Sequence, residues 1–166
     1  TLRASAPGTA PTTLTTTQAI AGESGIDPAL QVFASEVALA DALGRAIAAL
    51  QERDPTASVA LVCRTPATVQ RLAIALRRTV PVRVVFDGRF LPRGPAQITL
   101  IEEVKGLEFD FVIVPDATES QYPSQSAHTA ASRRALYVAA TRARHQLLFA
   151  AAGAPTRLLD GLELAF

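Results

Sequence analysis

The stretch "ASVALVC", Ala57–Cys63, is an uninterrupted apolar run that decides the fold class. A strand with both faces buried has this composition, and such strands are typical of parallel sheets covered by helices on both sides. Two amphipathic segments flank the run, "SEVALADALGRAIAALQERD" before it and "PATVQRLAIALRR" after it. We therefore expect a helix on each side of this strand in the chain, with the strand inside a sheet.

The same alternation continues in both directions along the chain. Further strands are predicted in "LQVFAS", "VRVVF" (Val82–Phe86), "AQITLI", "DFVIVP" and "HQLLFAA". Strands that alternate with helices predict an α/β fold, a mostly parallel sheet with helices on both faces. Residues 1–28 are rich in Thr, Ala, Pro and Gly and are expected to form a partly ordered lead-in, which leaves residues 29–166 as the folded domain.

Three helices are predicted from apolar spacing and start signals. The first begins after Ser35 as its N-cap and presents one apolar face, made of Val37, Ala40, Leu43, Ile47 and Leu50. The second has Pro66 in its first turn, where proline is favoured. The third is "SRRALYVAATRAR", with Ser132 as its expected cap and with Arg142 and Arg144 in its last turn.

Composition limits the kinds of partner and compartment. The formal net charge is +1, so contact with nucleic acid would depend on a local basic cluster rather than on a global field. The one cysteine, Cys63, cannot form an intramolecular disulfide, and we expect a buried thiol in a reducing, cytoplasmic compartment. The sequence contains no methionine, which suggests a piece of a longer chain.

Several ordinary site patterns are missing from the sequence. Lys105 is the only lysine, and Gly106 and Leu107 follow it, which excludes a Gly-x-x-x-x-Gly-Lys-Ser/Thr phosphate loop. His128 and His145 lack the Cys, His or carboxylate spacing of a metal site. As a self-contained enzyme, the chain therefore looks incomplete.

Two segments remain as candidates for chemistry. Ligands of parallel α/β sheets bind at the carboxyl ends of strands, so we expect the site in the segments after Cys63, Ile101 and Pro115, which include "CRTPA" and "EEVKGLEF". In the latter, Gly106 lies between Lys105, a point charge for phosphate, and Glu108, an acceptor for hydroxyls, although a tight connection with a solvated Lys/Glu pair also explains these residues. Arg142 has two explanations as well, because a helix C-terminus favours arginine, whereas an arginine leaving a small alanine face indicates an anionic target.

Taken together, "VKGLEFDFVIVPD" and "SRRALYVAATRARHQLLF" resemble motifs V and VI of the UvrD/Rep-like superfamily 1 helicases. "ASVALVCRTPATVQRLAIALRR" resembles the family segment before them, and the resemblance extends in order from Leu30 to about Leu159. It implies the second, C-terminal RecA-like domain of an ATP-dependent DNA helicase, inactive on its own. The N-terminal RecA-like domain would supply the phosphate loop and the Mg²⁺ ligands, ATP would lie between the two domains, and single-stranded DNA would be the other ligand.

The resemblance also implies roles at the nucleotide. Arg142 matches the motif VI arginine that reaches the γ-phosphate, a catalytic arginine finger. Glu108 matches the motif V glutamate on the nucleotide side, Gly106 matches the glycine of the motif, and Lys105 matches the lysine beside that glycine. The role of Lys105 towards nucleotide, DNA or partner domain stays open.

For DNA, the resemblance implies contacts by Arg64, which matches an arginine on the phosphate backbone, and by Thr99, one residue before a DNA-facing threonine of the family. Glu102 departs from the family where a DNA-facing histidine is common, and an acid there would repel phosphate. The short spacing from Arg64 to Thr99 leaves no room for a large accessory domain, and with "VPDATESQYP" and "APTRLL" it resembles the helicase IV/HelD branch. Two alternatives follow: an ATP-driven factor that remodels RNA polymerase, and a non-catalytic motor scaffold.

Overall fold

A computed structural model describes residues 28–160, which form one six-stranded sheet with every strand pair parallel. The spatial order is β1-β6-β5-β2-β4-β3, where the strands are β1 (Ala29–Phe33), β2 (Val59–Cys63), β3 (Val82–Val84), β4 (Ala96–Leu100), β5 (Phe109–Val114) and β6 (Ala143–Ala152). The helices are α1 (Glu36–Arg53), α2 (Pro66–Leu76) and α3 (Thr129–Ala140), with 3-10 turns at Ile101–Val104 and Arg157–Leu159. The predicted parallel α/β fold is confirmed. The predicted lead-in lies outside the described residues except for Pro28.

Strand β2 lies inside the sheet, between β5 and β4, and all its residues are buried. Its side chains alternate between two apolar layers. Leu61 and Cys63 pack in the layer of α1 and α2, whereas Ala60 and Val62 pack in the layer of α3 and the 3-10 turns. Burial on both faces explains why this strand has no polar alternation.

Two helix starts follow the sequence signals. The Ser35 hydroxyl accepts a hydrogen bond from the Ala38 N–H at 3.1 Å, and Pro66 occupies the first turn of α2. The predicted apolar face of α1 is correct except at Val37, which is 70% exposed. Val37 lies about 120° around the helix from Leu43, the centre of the buried face, because six residues advance the helix by about 600°.

The third helix differs from its prediction at both ends. It begins at Thr129, so Ser132 is a buried residue of the helix rather than its cap. It ends at Ala140, because the Thr141 hydroxyl bonds back to the carbonyl oxygens of the last turn and Ala143 already pairs with β5. Arg142 therefore lies between helix and strand, and Arg144 is a residue of β6.

Because all strands run the same way, the sheet has an amino edge where strands begin and a carboxyl edge where they end. Phe109 and Ala143 pair at the amino edge, and Cys63 ends β2 at the carboxyl edge. The six steps from Phe109, the first residue of β5, to Pro115, the residue that follows it, separate the two edges by roughly 20 Å at about 3.3 Å per residue. Residues that follow Cys63 and residues that precede Phe109 thus lie on opposite sides of the domain.

Candidate functional site

The connection from β4 to β5 contains a type II β-turn, Val104–Leu107. Lys105 has φ −60° and ψ 128°, Gly106 has φ 76°, and the Leu107 N–H donates to the Val104 carbonyl at 3.1 Å. A Cβ added to Gly106 would meet no described atom within 4 Å, so backbone conformation rather than crowding favours glycine here. Lys105 is exposed at the first central position of the turn.

Arg142 lies against this turn. Its Nη1 donates to the Leu107 carbonyl at 3.1 Å, and its Nη2 donates to the Thr141 hydroxyl at 3.1 Å. Its own carbonyl accepts from the Phe109 N–H at 2.9 Å, which fixes the backbone at the amino edge. Its Nε is buried and has no hydrogen-bond partner within the described chain. None of the ion pairs found between Pro28 and Asp160 includes Arg142, so this partly buried charge has no internal carboxylate.

The two acids that follow the turn in the chain have partners of their own. Glu108 Oε2 accepts from Arg144 Nε at 3.0 Å, in a pair that is more than half exposed. Asp110 Oδ2 accepts from both the N–H and the hydroxyl of Ser58 at 2.8 Å. His145 Nε2 lies 3.5 Å from Asp110 Oδ1, a contact between neighbouring strands that the sequence spacing did not indicate. These contacts join the starts of β2, β5 and β6 at the amino edge.

The predicted position of the segment that contains Glu108 is wrong. We expected "EEVKGLEF" at the carboxyl edge, but only its beginning lies there. Both strands are parallel, so the connection must return across the sheet face before β5 begins, and it delivers Glu108 to the amino edge. The structure therefore brings Glu108 and Arg142 together and separates them from Arg64. We call the first group the amino-edge cluster, made of Lys105, Gly106, Glu108, Arg142 and Arg144.

Arg64 belongs to a second group at the opposite side, the carboxyl-edge cluster, made of Arg64, Glu102, Asp116 and Tyr122. Asp116 accepts from the Arg64 N–H at 2.8 Å and from the Tyr122 hydroxyl at 3.1 Å. The Arg64 guanidinium carbon lies 5.9 Å from the centre of the Tyr122 ring, and Nη1 is 3.5 Å from Glu102 Oε1. Arg64 is thus oriented by its neighbours, with a quarter of its side chain exposed.

Burial sets the ionisation of this second cluster. It raises the pKa of Asp116 to about 6, although the N–H of Arg64 and the hydroxyl of Tyr122 both favour the charged carboxylate. Burial and the nearby Asp116 charge raise the pKa of Tyr122, which keeps its phenol protonated as a donor. Burial likewise raises the pKa of Cys63, which agrees with the predicted buried thiol.

Thr99 does not belong to either cluster, so its predicted DNA contact is wrong. Its side chain is fully buried, and its hydroxyl donates to the Val85 carbonyl at 2.7 Å. The reason is local: β4 is paired on both sides, by β2 and β3, and Thr99 Oγ1 ties it to the segment after β3. The residue lacks both the exposure and the free hydroxyl that a phosphate contact needs.

Sequence reasoning pointed to the segment after Pro115 but did not name Asp116 and Tyr122 as members of a polar cluster. The signal was present, because Asp116 is the first acid after the wholly apolar "FVIVP" of a parallel strand, the place where such sheets hold functional carboxylates. Asp116 also lines a cleft of about 150 Å³ that opens between α1 and α2. Glu36 and Arg71 at its rim form an ion pair at 3.5 Å, and the cleft thus has no single charge preference.

Similarity to known proteins agrees with this geometry. A model of the UvrD-like helicase C-terminal domain family matches residues 96–150, a range that contains both motifs and Arg142. The resemblance to UvrD-like helicases is confirmed. The chain is also similar in structure to the C-terminal domain of a possible DNA helicase from Lactobacillus plantarum WCFS1, with a TM-score of 0.68, 27% identity, and coverage of 81% of this chain and 80% of that chain. A search of curated proteins gave no match.

With this similarity, the predicted RecA-like fold is confirmed along with the sheet. The match does not distinguish the helicase IV/HelD branch from other members, and that assignment stays a prediction. Between Pro28 and Asp160, no three His, Cys, Asp or Glu side chains lie close enough to hold a metal ion. No helix within the same range is long and apolar enough to cross a membrane.

Proposed function

We propose that this UvrD-like domain is the C-terminal motor domain of an ATP-dependent DNA helicase or translocase, and that it completes an ATP site formed with a second domain. The observation that carries the proposal is the Arg142 guanidinium. It is held at the amino edge by two neutral acceptors, its Nε is buried and unpaired, and no carboxylate within residues 28–160 neutralises it.

An unpaired, partly buried charge is unfavourable unless an opposite charge arrives from outside. Arg142 keeps donor capacity for such a ligand, because a guanidinium has five N–H groups and only two are engaged by described residues. A planar, permanently charged fork suits phosphate oxygens, and an arginine of this kind stabilises charge that develops on a transferred phosphoryl group. The γ-phosphate of ATP is therefore the proposed target.

The remaining amino-edge residues fit a nucleotide. Glu108 retains a free Oε1 beside its pair with Arg144 and would accept from a ribose hydroxyl. Lys105 is exposed on the adjacent turn and would face phosphate or the partner domain. The sequence has no phosphate loop, so the phosphate cradle and the Mg²⁺ ligands are assigned to the N-terminal RecA-like domain.

Single-stranded DNA is the proposed ligand of the carboxyl-edge cluster. Arg64 is the cation of that cluster, and its backbone and ring contacts orient it without consuming all its donors. A contact of this kind holds the register of the strand and carries no sequence information. Nucleotide and DNA would then bind at opposite edges of one sheet, roughly 20 Å apart. When the two domains close around the nucleotide, this domain would move as a rigid body and carry the DNA-binding edge with it.

The test is ATP hydrolysis by the complete protein that contains this domain. Arg142→Ala should lower DNA-stimulated kcat by roughly 10³-fold or more, the range of arginine fingers. Arg144→Ala is the matched control, because it removes an exposed arginine two residues away that already has an acid partner; its kcat should stay within about threefold. Equal turnover of Arg142→Ala and wild type would reject the proposal.

The same assay separates the alternatives. A motor scaffold without catalysis would show no DNA-stimulated hydrolysis in the wild type. A factor that remodels RNA polymerase would hydrolyse ATP in response to polymerase complexes and not to DNA alone.

A further inference from the structure

The direction of the Arg142 side chain is set by two acceptors from different parts of the chain. One is the Leu107 carbonyl, presented by the Val104–Leu107 turn, and the other is the Thr141 hydroxyl at the end of α3. They engage different terminal nitrogens, each at 3.1 Å. Because the guanidinium is planar, two acceptors on two nitrogens fix both its position and its plane.

Each acceptor is itself held in place. The Thr141 hydroxyl donates its single hydrogen towards the Tyr137 and Val138 carbonyls, both at 3.1 Å, which leaves its lone pairs for Arg142. The Leu107 carbonyl depends on the type II turn, in which Gly106 has φ 76°. A residue with a Cβ is strained at that angle even though the surrounding space is open.

We propose that the Leu107 carbonyl and the Thr141 hydroxyl form a two-acceptor cradle that pre-orients the Arg142 guanidinium, and that Thr141 and Gly106 are positioning residues for it. This inference rests on the proposed function of Arg142. It adds a second role for motif V, whose turn would hold the Arg142 side chain in place as well as contact the nucleotide. A free arginine samples many rotamers, and freezing them in the transition state lowers the rate. The cradle removes that cost before the nucleotide arrives.

The cradle predicts a loss in kcat with little change in KM, because the arginine is engaged mainly in the transition state. Thr141→Val removes the acceptor and keeps the shape, so kcat should fall roughly 10-fold, as expected for a lost hydrogen bond to a charged group. Thr141→Ser keeps the hydroxyl and should stay within about twofold. Gly106→Ala should lower kcat by several-fold and Gly106→Asn by less, because asparagine tolerates positive φ better than alanine.

The experiment measures DNA-stimulated kcat and KM for ATP in the complete protein, with these variants made both in wild type and in an Arg142→Ala background. If Thr141 acts through Arg142, Thr141→Val should cause no further loss once Arg142 is alanine. A general structural role would give the same loss in both backgrounds and would lower the thermal midpoint. Full activity of Thr141→Val, or an equal loss in both backgrounds, overturns the cradle.

These outcomes are distinct from failure of the proposed function. If Arg142→Ala is fully active, the finger assignment is rejected and the cradle falls with it. If Arg142→Ala is inactive while Thr141→Val and both Gly106 variants are normal, the finger stands and only the cradle is rejected.

Discussion

Replacement of Asp116 by asparagine should change how the stability of this domain depends on pH. Burial raises the pKa of this carboxyl from an ordinary 3.8 to about 6. The folded protein therefore binds the proton more tightly than the unfolded chain does, and between these two values the unfolded chain ionises first. The contribution of Asp116 to stability is fully present below pH 3.8 and is lost as pH rises through about 6.

The size of the effect follows from the same two values. An interval from 3.8 to about 6, at about 1.4 kcal/mol per pH unit, corresponds to about 3 kcal/mol. Asparagine keeps an acceptor oxygen for the Arg64 N–H or the Tyr122 hydroxyl and has no charge to bury. The free energy of unfolding of Asp116→Asn relative to wild type should therefore rise by about 3 kcal/mol between pH 4 and pH 7.

The assay is urea denaturation of the 166-residue chain across this pH range, with the difference between variant and wild type taken at each pH. Glu119→Gln is a control in which the pKa shift has the opposite sign. Hydrogen bonds from Ser124 and Arg157 lower the pKa of Glu119 to about 2. Its difference from wild type should change only as pH falls below about 4.5, towards 2. Parallel profiles for wild type and Asp116→Asn from pH 4 to pH 7 would refute the account of the buried carboxylate.

Two further predictions concern packing and DNA. Gly44→Ala places a Cβ 2.8 Å from Thr79 Cβ. The resulting crowding costs about 1–3 kcal/mol and should outweigh the gain in helix propensity of about 1 kcal/mol, so the thermal midpoint should fall. An unchanged or higher midpoint would contradict the packing of α1 against the segment that follows α2. Glu102→Gln removes the acid beside Arg64 and should tighten single-stranded DNA binding by the complete protein roughly two- to fivefold at low salt. Glu103→Gln is the matched control. If the two variants bind single-stranded DNA with equal affinity, the proposed contact between Arg64 and DNA is wrong.

The fold could be predicted because its signals are local. Unbroken apolar strands such as β2 are typical of a helix-covered parallel sheet, and helix starts depend on one or two residues such as Ser35 and Pro66. The prediction errors occur where pairing with a distant strand decides where an element begins or ends. α3 stops at Ala140 because β6 must begin at Ala143 beside β5, and nothing in "YVAATRARH" marks that boundary.

The residues of the amino-edge cluster were named from the sequence, but their position in the sheet was not predicted. Glu108 and Arg142 come together as the resemblance implies, yet they do so at the amino edge, because a short connection between parallel strands has to return across the whole sheet. Thr99 failed because burial inside a sheet is a property of its neighbours, β2 and β3, which one strand's sequence does not specify. Asp116 was not named, although its segment was expected to bind ligands, because the sequence does not show that Arg64 and Tyr122 donate hydrogen bonds to it.

The most direct test of the central claim is chemical rescue of Arg142→Ala in the complete protein. Guanidinium ion at low millimolar concentration, far below denaturing levels, should restore part of the DNA-stimulated ATP turnover in a saturable manner, because it replaces the missing charge between Leu107, Thr141 and the nucleotide. Arg64→Ala, which removes a cation from the opposite edge, should show no such recovery. Absence of rescue in Arg142→Ala, or equal rescue of both variants, would contradict the claim that this guanidinium completes the nucleotide site.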